Sequence, residues 1–172
     1  LDATLPEGHR LNATFGREVT TRGSSFTIRK FKEDPLTITD LVKFGTLSPE
    51  MAPHFWMAVQ YGDSMIFAGG TASGKTATMN AISIFIPTSA KIISIEDTRE
   101  VNLPHKNWIA GITRGSAESG KDTDIDMYQL LRAALRQRPE YVLVGGVRGK
   151  ETMTMFQAMS TGHVTYSTMH AD

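Results

Sequence analysis

Eight consecutive residues carry the strongest chemical signal in the chain: Gly69, Gly70, Thr71, Ala72, Ser73, Gly74, Lys75 and Thr76. They satisfy the pattern G-x-x-x-x-G-K-[ST] at every fixed position. Small residues let successive backbone N–H groups curl around a phosphate. A helix starting at the end of the pattern, through Ala77, adds unpaired donors and the positive end of its dipole. Lys75 would then reach the terminal phosphates of a nucleotide, and the Thr76 hydroxyl would hold Mg²⁺. The context agrees. A short apolar run, Met65 to Ala68, precedes the loop, and Ala77 to Ile86 follows with few helix breakers before Pro87.

Three further features sit where a strand is expected to end. The acidic cluster Glu96-Asp97-Thr98-Arg99-Glu100 follows the apolar run Lys91 to Ile95. Gly145-Gly146-Val147-Arg148 follows Tyr141 to Val144, and His170 closes the run Val164 to Met169. In an open parallel sheet, ligands bind beyond the carboxyl ends of the strands, so all four features are predicted to meet at one edge. Carboxylates there suit Mg²⁺ and the orientation of an attacking water. For the arginines, composition alone leaves a solvated helix face and a phosphate contact equally open. His163 and His170 have no third and fourth ligand at usable spacing, so zinc is not expected.

The elements that must position these groups follow from periodicity. Residues 1 to about 31 read as β: Arg10 to Phe15 and Ser24 to Phe31 are separated by Gly16 and Thr21-Arg22-Gly23, with Pro6-Glu7-Gly8 as a turn. Phe26 and Ile28 alternate with Thr27 and Arg29, which predicts a half-buried strand. Lys32 to Pro35 reads as a linker. Thr39 is expected to cap a helix over Leu41 to Phe44, and Ser48-Pro49-Glu50 to open another with Phe55, Trp56 and Val59 on its apolar face. Asn107 to Ile112 is a strand candidate, and Ser116 to Asp124 a polar loop. Asp126 with Gln129 forms a capping box for a helix carrying Met127, Leu130, Leu131, Ala134 and Leu135 inward, with Arg132 and Arg136 outward. A last helix, about Lys150 to Met159, is expected to bury Thr152, Met155, Phe156 and Met159. Strands alternating with helices predict an α/β fold with a parallel sheet covered by helices.

Composition narrows the function. The 172 residues include 40% hydrophobic side chains, enough for a packed core. Eighteen basic and eighteen acidic side chains cancel, which gives no global electrostatic case for nucleic acid or an anionic membrane. There is no cysteine, hence no disulfide and no thiolate metal site. No apolar run approaches the roughly 18 residues of a membrane span. With no signal peptide either, an intracellular, cytoplasmic protein is expected; the first residue is Leu and the chain stops just after a strand-like run, so it reads as a fragment of something longer.

Four stretches taken together carry a resemblance to a known family. They are GGTASGKT (69 to 76), IEDTREV (95 to 101), YVLVGGVRGKE (141 to 151) and STGHVTYSTMHAD (160 to 172). In this order they resemble the phosphate loop, aspartate box, Walker B region and histidine box of the type II/type IV secretion-system ATPases. GSSFTIRKF and LRAALRQRPEY resemble archaeal members. The resemblance implies that residues 1–35 end a β-rich N-terminal domain and that 36–172 form a RecA-like ATPase domain truncated at its C-terminus. It implies Mg²⁺ and ATP, a homo-hexamer, and peripheral membrane association through a platform protein of a pilus, archaellum or secretion machine. Glu100 matches the glutamate proposed to activate water. Arg136 and Arg148 match arginines near the nucleotide, some acting across subunits, with Arg114 a weaker match. His163 and His170 match residues that couple nucleotide state to the subunit interface. Arg29 is similar to an arginine reaching the nucleotide from the preceding domain.

One departure stands out. The family's Gly-Glu is Gly145-Gly146 here, so the carboxylate expected at that strand end is missing. The loop GSAESGKDT after Arg114 also departs from the archaeal pattern. Three readings follow: an ATP-hydrolysing motor subunit, a nucleotide-binding but hydrolysis-poor ring subunit, and a RecA-like DNA motor. Neutral charge and the histidine box argue against the third, and no direct nucleic-acid contact is expected.

Overall fold

The computed structural model describes residues 1–5, 8–31, 34–114 and 124–171. Pro6 and Glu7 of the expected turn, Lys32 and Glu33 of the expected linker, and most of the loop before Asp124 lie outside the described residues. The chain opens with β1 (Asp2–Thr4), β2 (Arg10–Thr14) and β3 (Ser25–Arg29), an antiparallel meander in the order β1-β2-β3. Leu11 stands opposite Ile28, and Ala13 opposite Phe26. The expected half-buried face of β3 is not formed: Phe26 is 74% and Ile28 44% exposed. Alternation sorts side chains to two faces, but among the described residues no second layer covers either face of this strand.

Two helices lead into the larger sheet. Helix α1 (Ile38–Lys43) is capped by Thr37 rather than Thr39. The Thr37 hydroxyl accepts from the Asp40 N–H while the Asp40 carboxylate accepts from the Thr37 N–H at 3.0 Å. This reciprocal pair outcompetes a cap two residues later, because Thr39 has no carboxylate or amide three residues on to answer it. Helix α2 (Met51–Tyr61) follows a turn in which the Met51 N–H reaches the Ser48 carbonyl. Val59 is fully buried and Phe55 packs on the core, whereas Trp56 remains half-exposed against the Phe85 ring.

Among the described residues, five parallel strands form the main sheet in the order β4-β8-β7-β5-β6. They are β4 (Met65–Gly69), β5 (Ile92–Glu96), β6 (Trp108–Ile112), β7 (Tyr141–Val147) and β8 (Val164–His170). Helices α3 (Lys75–Ser83), α4 (Met127–Leu135) and α5 (Glu151–Ser160) connect them. Neighbouring residues on one strand go to opposite cores. Ile92 and Leu143 join Met79, Ile82 and Val59 on one face, while Ile93 and Val142 join Leu131, Ala134 and Met155 on the other. Short, almost wholly apolar strands are what a sheet covered on both faces requires. The expected capping box of α4 is present, with Gln129 N–H donating to Asp126 at 2.7 Å.

Two details differ from expectation. Helix α5 turns Glu151, Thr154, Met155 and Ala158 inward, and leaves Phe156 44% exposed. The Glu151 carboxylate accepts the N–H groups of Arg148 and Gly149, both at 2.7 Å, and this anchor fixes the rotation of the first turn. Strand β7 does not stop at Val144 but runs to Val147, with a register shift against β8 between those two residues.

Candidate functional site

The carboxyl ends of β4, β5, β7 and β8 open into one cleft of about 650 Å³. The loop from Thr71 to Ala77 forms its floor. Ala72 is held at φ 60°, a left-handed conformation that side chains disfavour and that recurs at ligand clamps. The Ser73 hydroxyl donates to the Gly70 carbonyl at 2.9 Å, and the Lys75 ammonium donates to the same oxygen. Beyond Lys75 and Thr76, α3 runs away from the loop with Met79 and Ile82 fully buried, so the helix is pinned by its far end while its first turn faces the cleft.

The opposing wall is acidic. Glu96, the last residue of β5, is 3% exposed, and its Oε1 accepts the N–H groups of Glu100 at 3.1 Å and Val101 at 2.9 Å. On the neighbouring strand, a Cβ on Gly145 would stand 3.0 Å from Glu96 Cγ, so any side chain there would push the Glu96 side chain aside by a few tenths of an ångström. Asn80 on α3 donates to the Glu100 carbonyl at 2.9 Å. The Glu100 side chain points the other way and pairs with Arg29 of β3 at 2.6 Å. Arg99 lies over the rings of Phe31 and Trp108, 4.9 and 5.9 Å from their centroids. These contacts bring the N-terminal sheet onto the cleft.

Burial pushes the Glu96 carboxyl up to about 7, against the lowering effect of the two N–H groups. The folded state therefore holds this proton where the unfolded chain has released it. The associated stability is present below the ordinary carboxylate value and is lost as pH rises from about 4.5 through 7. At about 1.4 kcal/mol per pH unit the loss is on the order of 3–4 kcal/mol. Urea unfolding at pH 5 and pH 8 checks this: Glu96→Gln is expected to flatten the pH dependence and to be the more stable protein at pH 8.

Of the residues singled out in the sequence, the cleft collects Arg29, Thr71 to Ala77, Glu100, Gly146, Arg148 and His170. Five others are not among its lining residues: Gly69 and Gly70, at the end of β4 and the start of the loop, and Arg136, Arg114 and His163. Arg136 ends α4, which leads into the amino end of β7, so it sits at the opposite edge of the sheet. Arg114 bridges to Ile125 through its backbone. His163 precedes β8 and contacts the Thr161 hydroxyl; His170 is the last residue of that strand, seven steps or about 23 Å further along. Asn80 and Thr168 also line the cleft and escaped the sequence reading. The Thr168 hydroxyl accepts the Gly146 N–H at 2.7 Å. No pattern marks Asn80, one polar residue on a helix. Glu96 had a signal, its place as the final residue of a buried strand.

Among the described residues no group of three or more carboxylates and imidazoles is arranged to hold a metal by itself. Mg²⁺ typically takes one or two protein ligands and completes its shell with phosphate oxygens and water. The Thr76 hydroxyl and the Glu100 carboxylate on opposite walls of the cleft fit such a role.

Comparison with known proteins agrees with this geometry. The family model for Type II/IV secretion system protein matches residues 1–172. The uncharacterized protein MJ0900 of Methanocaldococcus jannaschii is 47% identical over 99% of this chain, which spans 31% of that relative. The solved structure of the pilus retraction motor PilT with bound ADP superposes with a TM-score of 0.68 at 25% identity, over 100% of this chain and 47% of that one. The VirB11 ATPase of the Brucella suis type IV secretion system, in complex with sulphate, gives 0.62 at 26% identity, over 99% of this chain and 55% of that one. The sheet and its helices are the RecA-like fold of these ATPases, and the chain belongs to the type II/IV secretion system protein family.

Proposed function

We propose that this chain is part of an ATP-hydrolysing motor subunit of a pilus, archaellum or secretion machine. The observation that carries this reading is the convergence, in one cleft, of the phosphate loop, the acidic loop after β5 and Arg29 from the preceding sheet. Loop amides and the first turn of α3 bind the phosphates, and Lys75 offsets their charge. Thr76 and Glu100 would hold Mg²⁺, which would supply further charge neutralisation. Glu100 orients a water and takes its proton as the water oxygen bonds to the γ-phosphorus and the bond to ADP breaks. The division at about residue 35 follows the change from antiparallel meander to helix-covered parallel sheet. ATP turnover by the complete protein, measured with and without Mg²⁺, tests the reading directly.

Assembly follows from the arginines. Arg136 ends α4 away from its own cleft while Arg29 and Arg148 line it. Arg136 therefore serves, if it contacts nucleotide, a neighbouring copy in a homo-hexameric ring, with Arg114, His163 and His170 as further interface groups. Specific activity of the complete protein is expected to rise more than linearly with concentration; full activity in a dilute monomer would refute the ring. Among the described residues no helix is long and apolar enough to cross a membrane. We place the protein in the cytoplasm, held peripherally at the membrane by a platform partner. Gly146 favours a second reading, a subunit that binds nucleotide but hydrolyses it slowly.

A further inference from the structure

We propose that Glu96 is a positioning residue whose buried carboxylate oxygen clamps the backbone N–H groups of Glu100 and Val101 and so presents the Glu100 side chain to the cleft. The inference rests on the hydrolytic reading above and extends it to a residue that is only 3% exposed at the back of the cleft. Both N–H groups converge on Oε1, at 3.1 and 2.9 Å. The oxygen has little freedom to follow the loop elsewhere: Glu96 is the last residue of a strand paired on both sides, and Gly145 closes directly on its Cγ. Asn80 holds the Glu100 carbonyl from the helix side at 2.9 Å and receives the Asn102 N–H at 3.4 Å.

The segment from 96 to 102 is thus suspended from three side-chain atoms on rigid elements, and the Glu100 carboxylate is the part left to meet Arg29 in the cleft. Orientation is what such a scaffold supplies. A reacting group displaced by about 1 Å typically loses on the order of 10² in rate. With glycine at 146, no neighbouring carboxylate from β7 shares the task, so slack at Glu100 passes undiluted into kcat.

The clamp needs an acceptor at the right reach, and does not need a charge. Glu96→Gln keeps the oxygen; Glu96→Asp keeps the charge but withdraws the oxygen by one carbon; Glu96→Ala removes it. The experiment measures kcat, KM for Mg-ATP and amide hydrogen exchange in the complete protein. Glu96→Gln is expected to stay within about threefold of the parent in both constants, with the Glu100 and Val101 amides still protected. Glu96→Ala and Glu96→Asp are each expected to lose about 10²-fold in kcat with KM nearly unchanged, and to lose protection at those two amides. If Glu96→Ala does not fold, Glu96→Asp alone decides. Parental kcat in Glu96→Asp, or a Glu96→Gln loss as deep as that of Glu96→Asp, overturns the clamp and leaves the hydrolytic reading standing. A parent with no Mg-ATP turnover overturns both.

Discussion

Lys75→Ala is expected to lower Mg-ATP turnover by about 10²–10³-fold, the range seen when one preorganised donor leaves a reacting centre. It should weaken nucleotide binding as well. Lys75 carries the positive charge nearest the loop's curl, and its ammonium already bonds the Gly70 carbonyl inside that loop. Removing it takes away both the counter-charge and a strut of the loop. The fold should be untouched. Alanine is the best helix former, and α3 is held by Met79, Asn80, Ala81 and Ile82, all buried and beyond its first turn. A folded Lys75→Ala variant with parental turnover would sink the phosphate-loop assignment. Isothermal titration with Mg-ATP and with Mg-ADP separates the parts: the triphosphate should lose more affinity than the diphosphate if Lys75 reaches the terminal phosphate.

The parts of this fold that were legible in the sequence are those whose signals are local. Glycines and a lysine at fixed spacing mark a loop, and short apolar runs mark strands buried on both faces; β5 and β7 confirm this with every residue from Ile92 to Glu96 and from Tyr141 to Val144 buried. The elements that misread are those whose burial depends on another layer. The alternation in β3 is real, yet no layer among the described residues covers Phe26. In α5 both 152-155-156-159 and 151-154-155-158 are helical stripes; the two hydrogen bonds that the Arg148 and Gly149 N–H groups donate to the Glu151 carboxylate, not hydrophobicity, select the second. The site shows the same limit. The acidic cluster was visible, but which carboxylate is buried and which faces the cleft depends on Gly145 across the sheet and on Asn80 across the helix. Those contacts are long-range in sequence and leave no periodic trace. Arg136 and His163 matched the family by position, and only the sheet topology reveals that they stand at the edge opposite the cleft.

Gly146→Glu in the complete protein is expected to raise kcat by about 10²-fold while changing nucleotide affinity little. Position 146 lies in the cleft, within β7 and inside its register shift. A Cβ built there meets nothing within 4 Å, so a glutamate side chain has room. Its carboxylate would add an acceptor for water and for Mg²⁺ beside Glu100, which glycine cannot supply. The backbone opposes the change. Gly146 sits at φ +71°, where a side chain costs about 1–2 kcal/mol. For a domain of this size that lowers Tm by about 2–8 °C. The N–H bond to the Thr168 hydroxyl at 2.7 Å resists a shift of the backbone out of this conformation, since moving it would leave a buried hydroxyl without its donor. Gly146→Ala separates the two effects because it introduces the strain without the carboxylate. It is expected to show the same fall in Tm and a kcat no higher than the parent's. A Gly146→Glu protein that folds and binds nucleotide, yet turns over no faster than Gly146→Ala, would mean that the chain completes its catalytic site without a carboxylate on β7, and that glycine is retained there for its backbone alone.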